Sequence, residues 1–89
     1  MGSSAGTAVT TGVQNTLVGG LVADVLTEGD NNVAFGQGAL GSDTTGNQST
    51  AIGSFALATQ NFTGGEDSNN TAVGYNAGGL LQTGVRNTI

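Results

Sequence analysis

The side chains in this sequence best suited to acid–base chemistry or to binding a hard metal ion are its carboxylates. Asp24, Glu28 and Asp30 lie close together in the chain, and Glu66 and Asp67 form a second group. Two carboxylates at a fixed separation can hydrolyse a glycoside, and oxygen-rich turns can bind calcium, for which Asp30 and Asp67 are the best candidates. No basic or aromatic residue accompanies either group. We therefore interpret both as solvated turns and predict no catalytic residue, no cofactor and no metal site.

The composition excludes further classes of function. Histidine, cysteine and lysine are absent, Arg86 is the single basic residue, and the formal net charge is -5. A transition-metal site would lack its usual ligands, and no disulfide can form. Binding to nucleic acid or to an anionic membrane surface needs a basic surface, so neither is expected. No apolar run approaches the roughly 20 residues that span a bilayer.

The order of the residues carries more information than their types, because the sequence repeats. Gly19, Gly36, Gly53 and Gly74 each follow a short apolar stretch, and they are spaced 17, 17 and 21 residues apart. Aligned on these anchor glycines, the units share four chemically consistent columns. The columns are, in chain order, Asn15, Asn32, Ser49 and Asn70; Thr16, Thr50 and Thr71; Ala34, Ala51 and Ala72; and Val18, Phe35, Ile52 and Val73.

A repeat of this length predicts an all-β fold, in which each unit forms one coil of a parallel β-solenoid or β-roll. Stacked coils lie about 4.8 Å apart, so each residue meets its equivalents above and below. We expect a ladder of side-chain amides in the Asn/Ser column, hydroxyl bonds in the Thr column and a close backbone approach at the Ala column. The anchor glycines suit corners that a Cβ would forbid. Within residues 17–29 the apolar spacing also fits a helical turn, although the register of the repeat favours a strand.

The repeat also predicts the organisation of the chain. Residues 1–10 read as a flexible leader or one added for expression, and residues 11–89 form the repeat segment. Its units start near residues 11, 28, 45, 63 and 83, and the last unit is truncated, which suggests a piece of a longer protein.

Both faces of the predicted strands carry small or apolar residues, so a single chain would leave one of them uncovered. The content of large apolar side chains is low, and a core shared between copies would supply the missing burial. We therefore predict a homotrimer about the fibre axis, intertwined or side by side, with an autonomous monomeric solenoid as the alternative.

Three of the units resemble known repeats. The stretches "NNVAFGQGAL", "STAIGSFAL" and "NNTAVGYNAG" are similar to the β-roll head repeats of trimeric autotransporter adhesins, and more closely to a repeat of bacteriophage tail fibres. The similarity covers roughly residues 11–89, and residues 39–57 look like the tail-fibre repeat almost throughout. The resemblance implies a trimeric fibre segment on a virion tail, or an appendage at an extracellular or cell surface, that positions a host-receptor-binding tip.

The alternative function is a surface adhesin head whose turn loops bind a host glycan or matrix protein. Tyr75 and Asn76 are the candidate contact residues for such a ligand, because an exposed aromatic ring beside an amide can stack on and hydrogen-bond to a sugar. Phe55 is expected instead to pack into the core of the roll or of the trimer, and Phe62 to cover the turn within residues 64–70. An elaborated loop within residues 64–70 would favour this second function.

Overall fold

The structure, a computed structural model, describes Gly2 and residues 4–89. Four three-residue strands follow one another along the chain, and the described residues contain no helix. The strands are β1 (Thr16–Val18), β2 (Val33–Phe35), β3 (Thr50–Ile52) and β4 (Thr71–Val73). Each contains β-branched or aromatic residues beside a small or aliphatic one, as a half-buried strand requires. For residues 17–29, the helical alternative is wrong and the favoured strand is right only as far as Val18, because turns follow β1.

Each strand pairs in parallel with the next one along the chain, giving one sheet in the order β1-β2-β3-β4. Equivalent residues of successive units are direct partners, so that Leu17 pairs with Ala34 and Ala34 pairs with Ala51. The pairing continues past β4, where Thr71 bridges Thr88. The predicted all-β class, with parallel strands one repeat apart, is confirmed.

The anchor glycines are required by backbone conformation, and three of the four also by space. Their φ angles lie between 125° and 133°, a region that residues with a Cβ rarely adopt. A Cβ added at Gly36 would lie 2.6 Å from the carbonyl carbon of Gly53 in the next unit, and Gly19 and Gly53 are similarly crowded by the next backbone. At Gly74, by contrast, an added Cβ would come no closer than 3.9 Å to a neighbouring atom.

Other corners of each unit use left-handed residues that are not glycine. Leu40 and Leu57 have φ angles of 55° and 50° and are fully buried. A left-handed conformation costs roughly 1–2 kcal/mol for a residue with a Cβ, and burial of a leucine side chain can offset a cost of that size. A second left-handed corner of each unit lies at exposed positions such as Asn31 and Gln48.

The core is thin and lies on the inner side of the sheet. It contains more alanine than large apolar side chains, and its fully buried members come from the strands and from the turns that follow them. They are Val22, Ala23, Leu26, Ala34, Ala39, Leu40, Ala51, Ala56, Leu57 and Ala72. Hydrogen bonds between units must therefore hold much of the structure together.

The predicted leader, residues 1–10, lies partly outside the described residues. In its described part, the backbone N–H of Gly6 donates to the carbonyl of Val22 at 3.0 Å, and that of Thr10 donates to Thr27 at 2.9 Å. These offsets of 16 and 17 residues match those between the later units. Residues 6–10 thus continue the hydrogen-bonding pattern of the repeat.

Candidate functional site

The Asn/Ser column links the backbones of successive units. The Nδ2 of the fully buried Asn32 donates to the carbonyl of Gly46 at 2.9 Å, and its Oδ1 accepts the N–H of Ser49 at 2.9 Å. Asn15 and Asn70 make the equivalent two bonds to the units that follow them. Only a side chain with both a donor and an acceptor can satisfy these two backbone groups, and asparagine has the right length.

This geometry corrects the prediction of a side-chain amide ladder. The amides bond to the backbone of the next unit rather than to each other, with one exception: Asn87 Nδ2 donates to Asn70 Oδ1 at 3.2 Å. Side-chain to backbone bonding satisfies buried main-chain groups at turns, where no strand partner is available. The column therefore replaces β-pairing at the turns between strands.

A hydroxyl ladder also exists, but in a different column from the predicted one. Thr10 Oγ1 donates to the carbonyl of Thr27 at 3.3 Å, and Thr27 Oγ1 donates to that of Thr44 at 3.2 Å. Thr44 Oγ1 then reaches the carbonyl of Phe62 at 3.1 Å. The threonines of this ladder lie at a turn, whereas those of the predicted column stand at the starts of strands. The 17-residue spacing of Thr10, Thr27 and Thr44 is the feature of the sequence that could have identified the ladder.

The two faces of the sheet differ in burial. Ala34, Ala51 and Ala72 are fully buried and face the core. The next residue of each strand points outward, and the exposed fraction is 53% for Phe35 and 58% for Val73. We call Val18, Phe35, Ile52 and Val73 the outward column. These residues are in direct strand register, so they form a continuous apolar stripe along the stack.

The candidate ligand residues Tyr75 and Asn76 lie next to this stripe. The Tyr75 side chain is 78% exposed, and its ring meets that of Phe55 edge to face, with centroids 6.4 Å apart. Asn76 occupies a left-handed corner, and its N–H donates to the carbonyl of Ser54 at 2.8 Å. Phe62, by contrast, is buried. The structure thus leaves an aromatic pair, Phe55 and Tyr75, on the surface.

Two of the carboxylates bond to the preceding unit, and a third bonds within its own turn. Asp30 Oδ1 accepts the N–H of Val13 at 2.8 Å, and Asp67 Oδ1 accepts the Nδ2 of Asn47 at 3.2 Å. Glu66 likewise accepts a backbone N–H in its turn. Among the described residues, no three acidic side chains come together in a group that could hold a metal ion. Asp30 and Asp67 serve as hydrogen-bond acceptors that organise the turns.

Asp43 is the polar residue that sequence reasoning missed. It is fully buried; its Oδ1 accepts the N–H of Gly46 at 3.2 Å and that of Phe62 at 2.8 Å, and its Oδ2 accepts Gln60 Nε2 at 2.8 Å. Burying a carboxylate is costly unless its oxygens are hydrogen-bonded, as they are here. Its position in the repeat could have predicted this burial, because Asp43 stands where the preceding unit has the core residue Leu26.

Asp43 belongs to a connected set of fully buried polar side chains, which we call the polar network. Within the described part of the chain, every buried side-chain nitrogen and oxygen atom has a hydrogen-bond partner. The members of the polar network are Asp43, Ser49, Gln60, Ser68 and Asn70.

An open groove lies on another side of the stack, with a volume of about 430 Å³. Its lining is uncharged and carries hydroxyl and amide groups from three successive units. The lining residues are Ser42, Thr59, Asn61, Gln82 and Thr83. Such a surface can exchange hydrogen bonds with a neutral polar ligand, and none of these five residues can act as a general base.

No protein-family model, no curated protein and no solved structure matches this chain. Among the described residues, there is also no helix with the length and apolar character needed to cross a membrane.

Proposed function

We propose that this chain is a segment of a homotrimeric β-solenoid fibre, such as the shaft of a phage tail fibre or a comparable surface appendage. Its role is mechanical: it holds a receptor-binding tip away from the virion or cell that carries it. This role requires no catalysis and no cofactor. The single observation that carries the proposal is the unbroken stripe of exposed apolar side chains along an in-register stack.

The solenoid part of the proposal is supported by the constant offset of the hydrogen bonds. Thr16 donates its N–H to the carbonyl of Asn32 at 2.8 Å, and the same bond joins Val33 to Ser49 at 2.8 Å. Side chains repeat the offset, as at Asn32 and Asn15, whose bond spans 17 residues. Such a chain makes contacts almost only between neighbouring units, so it can be extended by adding units without redesigning a core.

The outward column supports association with further copies of the same chain. It contains no charged residue, and it repeats with the spacing of the stack, about 4.8 Å between strands. A partner that covers every position of this stripe needs the same period and the same apolar character, and a second copy has both. The resemblance to trimeric adhesins and tail fibres favours three copies over two.

Sedimentation equilibrium on the folded chain, with circular dichroism on the same sample, tests this proposal. We expect a β-rich spectrum and a mass about three times the 8.6 kDa of one chain. A β-rich monomer at protein concentrations up to the millimolar range would overturn the trimer and its shared apolar core. Copies that bury this stripe against one another should associate at such concentrations.

The second candidate function is adhesion to a glycan, and the uncharged groove is the observation that favours it. Hydroxyl and amide groups suit the hydroxyls of a neutral sugar, and the net charge of -5 disfavours acidic glycans. Binding to a glycan array that is lost in Asn61→Ala/Gln82→Ala and kept in Gln48→Ala would support an adhesin. Binding that is lost only when Tyr75 is replaced would move the site to the aromatic pair.

A further inference from the structure

One unit of the stack is longer than the others, and its additional residues lie in one turn. The offset between paired residues is 17 where Thr45 meets Phe62, 20 where Asn47 bridges Asp67, and 21 from Thr50 to Thr71. Three of the four additional residues therefore lie between Phe62 and Asp67. We call residues 63–67 the long turn, and all five are exposed.

The polar network holds both ends of the long turn. Before the turn, Asp43 accepts the N–H of Phe62 and the Nε2 of Gln60, each at 2.8 Å. After the turn, the hydroxyl of Ser68 lies 2.6 Å from that of Ser49. Both ends are thus held by buried side chains that lie about one repeat earlier in the chain.

Gln60 and Asn70 connect the two ends to each other. Gln60 Nε2 donates to Ser49 Oγ at 2.7 Å, and Gln60 Oε1 accepts the Nδ2 of Asn70 at 2.8 Å. The carboxylate of Asp43 can only accept, so Gln60 must turn its Nε2 toward Asp43 and its Oε1 toward Asn70. Asn70 Oδ1 in turn accepts the N–H of Asn87 at 2.9 Å. Only one orientation of these amides satisfies every group.

The stack itself does not require polar residues at these positions. The column of Asp43 and Gln60 holds Leu26 in the preceding unit and Leu81 in the following one, and both leucines pack in or against the core. Among the described residues, the polar pair occurs only at Gln60, just before the long turn, and at Asp43, just before residues 45–47, to which the long turn is hydrogen-bonded. A function tied to that turn explains this placement, whereas general stabilisation of the stack does not.

We propose that the polar network is a clamp that closes the base of the long turn and fixes the positions of its two ends, while Thr45 and Asn47 bond to the exposed part of the turn. The long turn is then the place in this chain where residues can be added or exchanged without disturbing the register of β3 and β4. A surface element such as a binding loop can be carried there. This inference does not depend on the fibre proposal, since it concerns the fold of one chain.

Insertion of six residues, Gly-Ser-Gly-Ser-Gly-Ser, between Gly64 and Gly65 tests the clamp. The insertion roughly doubles the length of the turn, so loop-closure entropy alone predicts a fall of about 5 °C or less in the thermal midpoint. The double variant Asp43→Leu/Gln60→Leu carries the leucines that neighbouring units have at these positions. In this variant we expect the insertion to lower the thermal midpoint by at least about twice as much as it does in the unchanged chain. Equal shifts in the two backgrounds would overturn the proposal.

Hydrogen exchange keeps the test decisive if the leucine variant does not fold. In the otherwise unchanged chain, the insertion should leave the exchange protection of the Phe62 and Asn70 amides within about threefold of its original value. Loss of protection at these two amides, while the amide of Val33 stays protected, would show that the polar network does not hold the ends of the turn and would overturn the clamp.

Discussion

The side-chain oxygen of Asn32 accepts the backbone N–H of Ser49, 17 residues further along the chain, at 2.9 Å. Both residues are fully buried, so this bond between successive units is shielded from solvent. The amide nitrogen of Asn32 is also engaged, with the carbonyl of Gly46. One side chain thus replaces two backbone partners at a turn where strands cannot pair.

The first prediction concerns this double role. Asn32→Asp keeps the acceptor for Ser49 but removes the donor to Gly46 and buries a charge. We expect a loss of about 1–3 kcal/mol in the free energy of unfolding, measured by urea denaturation. Asn31→Asp is the matched control, because Asn31 is exposed and its left-handed corner tolerates aspartate. Equal stability of the two variants would contradict the role of the buried amide.

The second prediction concerns the alanine column. Ala51 is fully buried and pairs with Ala34 and Ala72 on its two sides. Ala51→Leu should overpack the core and cost about 1–3 kcal/mol per chain in thermal or chemical unfolding. Ser42→Leu adds the same side chain at an exposed position and should be nearly neutral. An unchanged midpoint in Ala51→Leu would show that the core has room there.

The third prediction separates backbone strain from close approach at glycines. Gly36 and Gly65 both have positive φ, but a Cβ at Gly36 would meet Gly53, whereas one at Gly65 would have no neighbour within 4 Å. Gly65→Ala should therefore cost only the conformational strain, about 1–3 kcal/mol. Gly36→Ala should cost about 1–3 kcal/mol more, because the next backbone must move. Similar losses in the two variants would argue against the close approach.

The fourth prediction concerns the outward column. Ile52 lies in the middle of the stripe, between Phe35 and Val73. Ile52→Glu places a charge where a second copy is proposed to pack, so the mass measured by sedimentation should fall to that of a monomer. Gln48→Glu adds the same charge at an exposed turn and should leave the assembly intact. Dissociation in both variants would point to net charge rather than to the stripe.

The sequence was sufficient to predict the pairing of the strands because the repeat places equal residues at equal offsets. Thr50 and Thr71, for example, align in the sequence at 21 residues and pair in the sheet. The assignment of bonding partners was less accurate. An asparagine column fits both an amide ladder and bonds to the backbone, and only the positions of the neighbouring carbonyls decide between them.

Two further features escaped prediction for physical reasons. Leu40 and Leu57 take left-handed corners inside the core, although propensity alone would place glycine or asparagine there. Asp43 is buried although an isolated carboxylate is expected in solvent. In each case, contacts with the surrounding units determine the backbone conformation or the burial, which the preferences of the individual residue do not predict.

The parallel pairing of successive units has a consequence for the response of the chain to force. The hydrogen bonds that join Thr27 to Thr44 and Asn32 to Ser49 connect one unit to the next, so a load applied along the stack stretches them directly. Under such a load the units should detach one after another, each 17-residue unit releasing about 50 Å of chain. Pulling single molecules between Thr10 and Arg86 would record a series of small steps, and one large step would contradict this sequence of events. A tether built in this way yields gradually and limits the peak force that reaches whatever it holds.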